Sequence, residues 1–347
     1  MPAATAADHQ ARLARLRPAQ SLCSSSGELW RVAHCSALAL KNAGKAEFYK
    51  KQAVLNGVSS LACGGASSLP PPAPAPLSPY VRRKFALVIG IGQFQDPKIS
   101  QLRYTAKDAR DFAGVLVEHA HFDPSNVELL VEEQATRANI LSGLQRLILT
   151  AQEEDLVVLF VSSHGSPNRQ GQGLQGIGYL VTHDTSLARI WVDAIEYQDF
   201  ARKAALIKAR RMVTFLDTCF SGQAFAASGA KQLTAEGMGV GRDTAELFVS
   251  GEGTYVITSS RFDEQSWESE RLANSYFTYF LLAALRRGPE PPAIQTVFDE
   301  LAFEVARAVA RDKGVGQHPQ IHPADGVADV RIGVPPISIG SSAAEIQ

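Results

Sequence analysis

Short apolar runs alternating with segments of helical spacing fill the chain from residue 83 onward. Residues 85–90 (Phe-Ala-Leu-Val-Ile-Gly), 126–131, 156–161, 211–216 and 254–260 are short, rich in β-branched or aromatic residues and bounded by polar stops, so they predict strands. Weaker patterns at 178–181 and 327–332 predict a further short strand and a last edge strand. Between them lie helical patterns. In 104–119 the apolar positions are Ala109, Phe112, Ala113, Leu116 and Val117, with Asp108 in the first turn, where an acid suits the helix dipole. A second helix is predicted over 136–150 with Thr136 as its N-cap, and others over 192–209, 276–285 and 294–311. Strands alternating with helices of this length imply βαβ units. The fold class expected is α/β, a three-layer α/β/α sandwich with a mostly parallel sheet and helices on both faces.

The texture before residue 83 is different. Residues 1–80 are rich in Ala and Ser, poor in acids, and close on Pro70-Pro71-Pro72-Ala73-Pro74-Ala75-Pro76, an extended linker by composition. Three readings compete for them: a poorly ordered leader, an Arg-rich organelle-targeting segment, or a small interaction module. The main domain is expected over 82–335, as a large segment to about residue 222, a connection over 223–253 and a small segment over 254–335. Residues 336–347 form a tail. The Ala/Gly-rich 223–253 stretch is longer than compact domains usually allow a plain loop to be.

Composition narrows the classes. The net charge of −1 gives no bulk electrostatic reason to expect nucleic acid as partner, and no run approaches the roughly 18 apolar residues of a membrane span. Of the four cysteines, Cys23, Cys35 and Cys63 precede residue 65, leaving Cys219 alone in the main domain. A reduced, cytoplasmic protein is the expected setting.

Candidate chemistry sits at two strand ends. The run 156–161 stops on Ser162-Ser163-His164-Gly165, and 211–216 stops on Asp217-Thr218-Cys219-Phe220-Ser221-Gly222. Parallel α/β sheets carry reactive groups at the carboxyl ends of their strands. A His and a Cys delivered to one edge, each followed by small residues, suit a nucleophilic pair. The competing reading is a structural cysteine and a hydrogen-bonded histidine. Gly90-Ile91-Gly92 after the first strand invites a nucleotide loop, but Gln95 stands where the third glycine belongs, and no helix start follows. The Gly-rich stretch between His164 and Tyr179 is either a closing loop or a simple hairpin.

With these motifs in order, residues 82–333 resemble the caspase-like cysteine peptidases, especially the metacaspase branch and its bacterial relatives. The resemblance is carried by the strand ending at Gly90, the segment Leu102 to Ala109, Ser163-His164-Gly165, Asp217-Thr218-Cys219-Phe220-Ser221-Gly222, Thr258-Ser259-Ser260 and the helix that starts Ser275-Tyr276-Phe277-Thr278. It implies a six-stranded sheet and a His164–Cys219 dyad hydrolysing peptide bonds. It also implies oxyanion donors at the backbone of Gly165 and Cys219, and protein or peptide substrates. In metacaspases the acids matching Asp108 and Asp217 line a pocket for Arg or Lys on the acyl side of the cut bond.

Two rivals stand beside that reading. One is cleavage after Asp, as in animal caspases, for which Arg103 lies one place from the family's basic residue. The other is a non-catalytic interaction module on the same fold. Lys231 and Arg242, in the 223–253 connection, are candidate self-cleavage sites. The chain departs from calcium-dependent relatives: Phe220 follows the nucleophile in place of His, and Ala226 stands where those relatives carry an acid. His183, Asp184 and Asp193 are scattered as ligands, and Pro319 and Pro323 break the helix that His318 and His322 would need to bind zinc. No cofactor is expected, with calcium the alternative.

Overall fold

A computed structural model describes residues 80–166, 178–219, 253–261, 264–323 and 329–336, with isolated positions at 35, 49, 50, 53, 54, 77, 245, 248 and 249. The Pro-rich run, most of the Gly-rich stretch, residues 223–252 of the connection with Lys231 and Arg242, and position 220 fall outside these residues, apart from the isolated positions; position 226 lies in that connection. The chain divides into Met1–Pro76 and Leu77–Gln347. In the first unit Cys35 is disulfide-bonded, against the expectation of reduced thiols there.

The second unit is built on a sheet whose main path runs β10-β7-β6-β3-β1-β2. Its strands are β1 (Lys84–Gly90), β2 (Val127–Val131), β3 (Leu156–Ser166), β6 (Arg211–Cys219), β7 (Thr254–Thr258) and β10 (Gln320–His322). All neighbours are parallel except β10, which runs antiparallel to β7. Two short strands, β4 (Tyr179–Leu180) and β5 (Ile195–Glu196), extend the end of β3. The helices are α1 (Thr105–Glu118), α2 (Arg137–Thr150), the single turn α3 (Ile190–Asp193), α4 (Tyr197–Ala204), α5 (Tyr276–Leu285) and α6 (Ile294–Lys313).

Side-chain alternation divides the core into two clusters. Ala86, Val88, Val158, Phe160, Val213 and Phe215 pack with Phe112 and Leu116 of α1, and with α5 and α6. Phe85, Leu87, Ile89, Val157, Leu159 and Leu216 pack with Ile140 and Leu144 of α2 and Phe200 of α4. The result is the three-layer sandwich expected. Odd-numbered positions of β6 therefore belong to the α1/α5 face, and Asp217 is one of them.

Gly90 permits a close approach in this arrangement. A Cβ there would lie 2.4 Å from the Thr105 carbonyl oxygen and 2.6 Å from Ala109 Cβ, so only glycine lets the first turn of α1 rest on the end of β1. The Gly90-Ile91-Gly92 sequence is explained by this packing without a nucleotide.

Three expectations are corrected. The strands β3 and β6 do not stop where hydrophobicity stops: the ladder continues to the pair His164 and Cys219, because backbone pairing with a neighbour does not require apolar side chains. The helix expected over 192–209 is split into α3, β5 and α4. Ile195 and Glu196 are drawn into pairing with Leu180 and Tyr179, and this tertiary pairing overrides local helical preference. The last edge strand is β10 and not 327–332. Arg331 makes only an isolated bridge with Ala293, while Val330 and Ile332 are buried in the core beside α6.

Candidate active site

The centre of the site is the parallel pairing of β3 and β6, which makes His164 and Cys219 direct register partners on adjacent strands. Neighbouring strands lie about 4.8 Å apart, so the backbone alone sets a His beside a Cys.

The imidazole is fixed by a loop that the sequence did not single out. His164 is buried, and its Nε2 lies 2.8 Å from the Ser100 carbonyl oxygen and 3.4 Å from Ser100 Oγ. A carbonyl only accepts, so Nε2 carries the proton and Nδ1 the basic lone pair. Phe94 stacks on the ring, with centroids 5.3 Å apart and planes at 25°. Burial pushes the imidazole pKa down to about 4, partly opposed by the Ser100 hydrogen bond. The ring is therefore neutral at pH 7 and able to take a proton.

Ser100 is itself held by cross-links from the loop between β1 and α1. Glu132 Oε2 accepts from Gly92 N at 3.0 Å and Gln93 N at 2.7 Å. Asp96 accepts from Leu187 N at 2.9 Å, and Gln95 N donates to the His183 carbonyl at 2.9 Å. A contact made through a main-chain carbonyl leaves no mark in residue type, which is why Ser100 and its supports were not legible.

The two acids singled out in the sequence come together beneath this edge. Asp108, from the first turn of α1, accepts from Asn274 Nδ2 at 2.7 Å and from Ser275 N at 3.2 Å. Asp217, two positions before Cys219, accepts from Ser266 Oγ at 3.0 Å, from Thr278 Oγ1 at 2.9 Å and from Ser275 Oγ. Ser275 thus bridges the pair, with its N–H on one acid and its hydroxyl on the other. The residue pair 274–275 forms β9, which with β8 (Glu268–Ser269) makes a small hairpin. Ser275 also caps α5, accepting from Thr278 N at 2.8 Å.

Both carboxyls are buried, and both are shifted toward the protonated form. For Asp108 burial is the largest cause and the neighbouring Asp217 the next, and the shift is large. For Asp217 burial raises the pKa while the hydroxyls of Ser275, Thr278 and Ser266 pull it back. Burial and their proximity thus hold the pair toward the neutral form, with Asp108 well above the ordinary carboxylate range. Glu268 anchors the hairpin to α1, accepting from Tyr104 N at 2.8 Å and Arg103 N at 3.1 Å. Ser266, Asn274, Ser275 and Thr278 were not foreseen as site residues. The only signal was the Ser-x-x-Thr pattern at 275–278, which reads equally as a plain helix cap.

Other expected residues are placed as follows. Gly165 follows His164 in β3, opposite Leu180. Arg103 is 69% exposed and ion-paired with Glu270 at the surface. Asp184 accepts from Arg137 N at 2.9 Å at the start of α2, and Asp193 pairs with Arg189 at 2.7 Å. His318 pairs with Glu264, and His322 lies in β10. Among the described residues no group of three His, Cys, Asp or Glu side chains is placed to hold a metal ion, and no helix is long and apolar enough to cross a membrane.

Comparison with known proteins bears on the family of the chain. The caspase-domain family model matches residues 83–327. Metacaspase-1 of Scheffersomyces stipitis is 27% identical over 151 residues, covering 41% of this chain and 36% of that protein. Metacaspase-1B of Aspergillus fumigatus is 29% identical over a stretch of the same length and the same coverage. The matched stretch thus spans little more than a third of those relatives. Among solved structures, caspase-1 of Spodoptera frugiperda is similar with a TM-score of 0.49 and 15% identity, over 73% of this chain and 92% of that one. Since the family model matches well over half of the chain, from β1 to beyond β10, the chain belongs to the caspase-domain family, peptidase C14.

Proposed function

We propose that this chain is a cysteine endopeptidase that cleaves after Arg, and less well after Lys, using His164 and Cys219. The observation that carries the reading is the register pairing of His164 with Cys219, with the imidazole locked by Ser100 in the tautomer that keeps Nδ1 basic. The Cys219 thiol gives its proton to His164, and the thiolate attacks the scissile carbonyl carbon. The tetrahedral oxyanion is stabilised by the backbone N–H groups of Gly165 and Cys219, where losing one donor typically costs about 10²–10³ in turnover. The C–N bond then breaks, and His164 returns the proton to the leaving amine. Water, deprotonated by the same imidazole, hydrolyses the thioester and regenerates the thiol.

The acid pair supports a basic specificity. Two like charges about 4 Å apart repel by roughly 4 kcal/mol at an effective dielectric near 20. A guanidinium entering beside Asp108 and Asp217 removes that repulsion and can pair with both. Cleavage after Asp finds no support in Arg103, which is engaged with Glu270 at the surface, and an acidic side chain beside two buried acids would be repelled. Lys231 and Arg242 then fit as self-cleavage sites; intact mass after incubation tests this, and an uncut chain contradicts it. The deciding experiment is hydrolysis of paired fluorogenic peptides ending in Arg or Asp. Cleavage of the Asp peptide alone overturns the proposal. A non-catalytic module is excluded if a thiol-directed peptide inhibitor modifies Cys219 in a His164-dependent way.

A further inference from the structure

Asp217 depends on hydroxyl donors whose direction is fixed from behind. A serine hydroxyl has one proton, and it can point that proton at a carboxylate or elsewhere. At Ser275 the choice is settled by Thr278 N, which donates to Ser275 Oγ at 2.8 Å and leaves the hydroxyl proton for Asp217. At Ser266 the same part is played by Gln317. Its Nε2 donates to Ser266 Oγ at 3.1 Å and to the Ser259 carbonyl at 3.0 Å, while its Oε1 accepts from Trp267 N at 3.0 Å. Ser266 Oγ in turn donates to Asp217 Oδ1 at 3.0 Å.

Gln317 lies in the turn between α6 and β10, is fully buried, and spends its amide on the segment 259–267. Its polar atoms are thus directed at the residues that support one acid. A buried amide that served packing alone would not need to meet a hydroxyl which itself meets a carboxylate.

We propose that Gln317 is a positioning residue for substrate recognition: it orients Ser266 as a donor to Asp217 and so holds that carboxylate in place and ionised for a cationic side chain. The inference rests on the reading of Asp108 and Asp217 as a pocket for Arg. Gln317 touches neither substrate nor the reacting atoms. Its loss weakens binding of the basic side chain and leaves the dyad's chemistry alone.

The test uses the full chain with Gln317→Met, which keeps the volume and removes the amide. Gln317→Asn, which keeps an amide too short to span its partners, is the second variant. Peptide amides ending in Arg or in citrulline, its neutral analogue, are compared, along with Cys219 alkylation by iodoacetamide. The expected result is a KM for the Arg peptide raised about tenfold, kcat within about twofold, and a reduced preference for Arg over citrulline. Alkylation should be unchanged. In a Ser266→Ala background the Gln317 substitution should add little, because its effect runs through that hydroxyl.

If the wild type prefers Arg and a folded variant keeps the same KM and preference, the Gln317 assignment is overturned. Equal losses on Arg and citrulline peptides, with kcat falling too, would make Gln317 a general structural residue and likewise overturn it. A wild type without preference for Arg removes the pocket reading itself, and this inference with it.

Discussion

At Asp217 three hydroxyl donors favour the charged carboxylate, while burial and the nearby Asp108 oppose it. Burial holds both carboxyls toward the protonated form, so binding of an Arg side chain beside them should release a proton. KM for an Arg peptide should therefore rise as pH falls into the raised carboxyl range. Asp108→Asn should increase KM at neutral pH by at least about tenfold and flatten that dependence; an unaltered profile would contradict the pairing. Stability moves the other way. A folded pKa above the unfolded value gives stability present at low pH and lost as pH rises through the folded value, so Asp108→Asn should not lower the neutral-pH melting temperature.

His164 has the opposite sign. Its folded pKa of about 4 lies below the ordinary 6.5, so stability is present above pH 6.5 and lost as pH falls toward 4. The full loss corresponds to roughly 3 kcal/mol. His164→Phe should reduce the acid-side fall in melting temperature, and an equal fall in both proteins would show that the imidazole is not responsible.

At the scale of elements, much of the fold was legible. The apolar runs marked β1, β2, β3, β6 and β7, Thr136 capped α2, and the helix over 276–285 was found at its observed bounds. What failed was where local pattern meets long-range pairing. Ile195 and Glu196 become a strand because β4 lies beside them, and β10 occupies the edge as three residues between two prolines. The polar ends of β3 and β6 are strand only because each supplies the other's partner. Two substitutions test element contacts. Gly90→Ala should cost about 1–3 kcal/mol, since α1 must move off β1 to admit the methyl group; unchanged denaturant stability would contradict that packing. Ser275→Ala should cost about 1 kcal/mol through the lost cap of α5 and also raise KM for Arg peptides, because one residue serves both tasks. A stability loss with KM unaltered would separate them.

At the scale of the whole second unit, Lys84 ties the start of β1 to the turn after α1 and to the described segment 329–336. Its buried ammonium donates to the Ala120 carbonyl at 2.6 Å and the Ile332 carbonyl at 2.7 Å. Burial lowers its pKa to about 7, partly offset by Glu290. The sign follows that of a depressed group: stability is present above the unfolded pKa near 10.5 and lost as pH falls toward 7. Melting temperature should rise between about pH 7 and 9, and Lys84→Met should flatten that rise; a parallel rise in the variant would contradict the assignment. The architecture gathers strand ends, the α1 start and the 268–275 hairpin at one edge, and the residues the sequence singled out lie there. His164, Cys219, Asp108 and Asp217 could be named from strand ends and family pattern. Ser100, Ser266 and Gln317 could not, because they act through a carbonyl, a hydroxyl direction and an amide, none of which leaves a spacing rule.

Cys219 and His164 are proposed to cut peptide bonds after basic residues. Cleavage profiling of the purified chain over every residue at the acyl-side position, beside Cys219→Ala, addresses this most directly. Cuts after Arg and then Lys are expected for the wild type, with none for a folded Cys219→Ala. Cleavage that survives Cys219→Ala, or that follows Asp alone, would contradict the account.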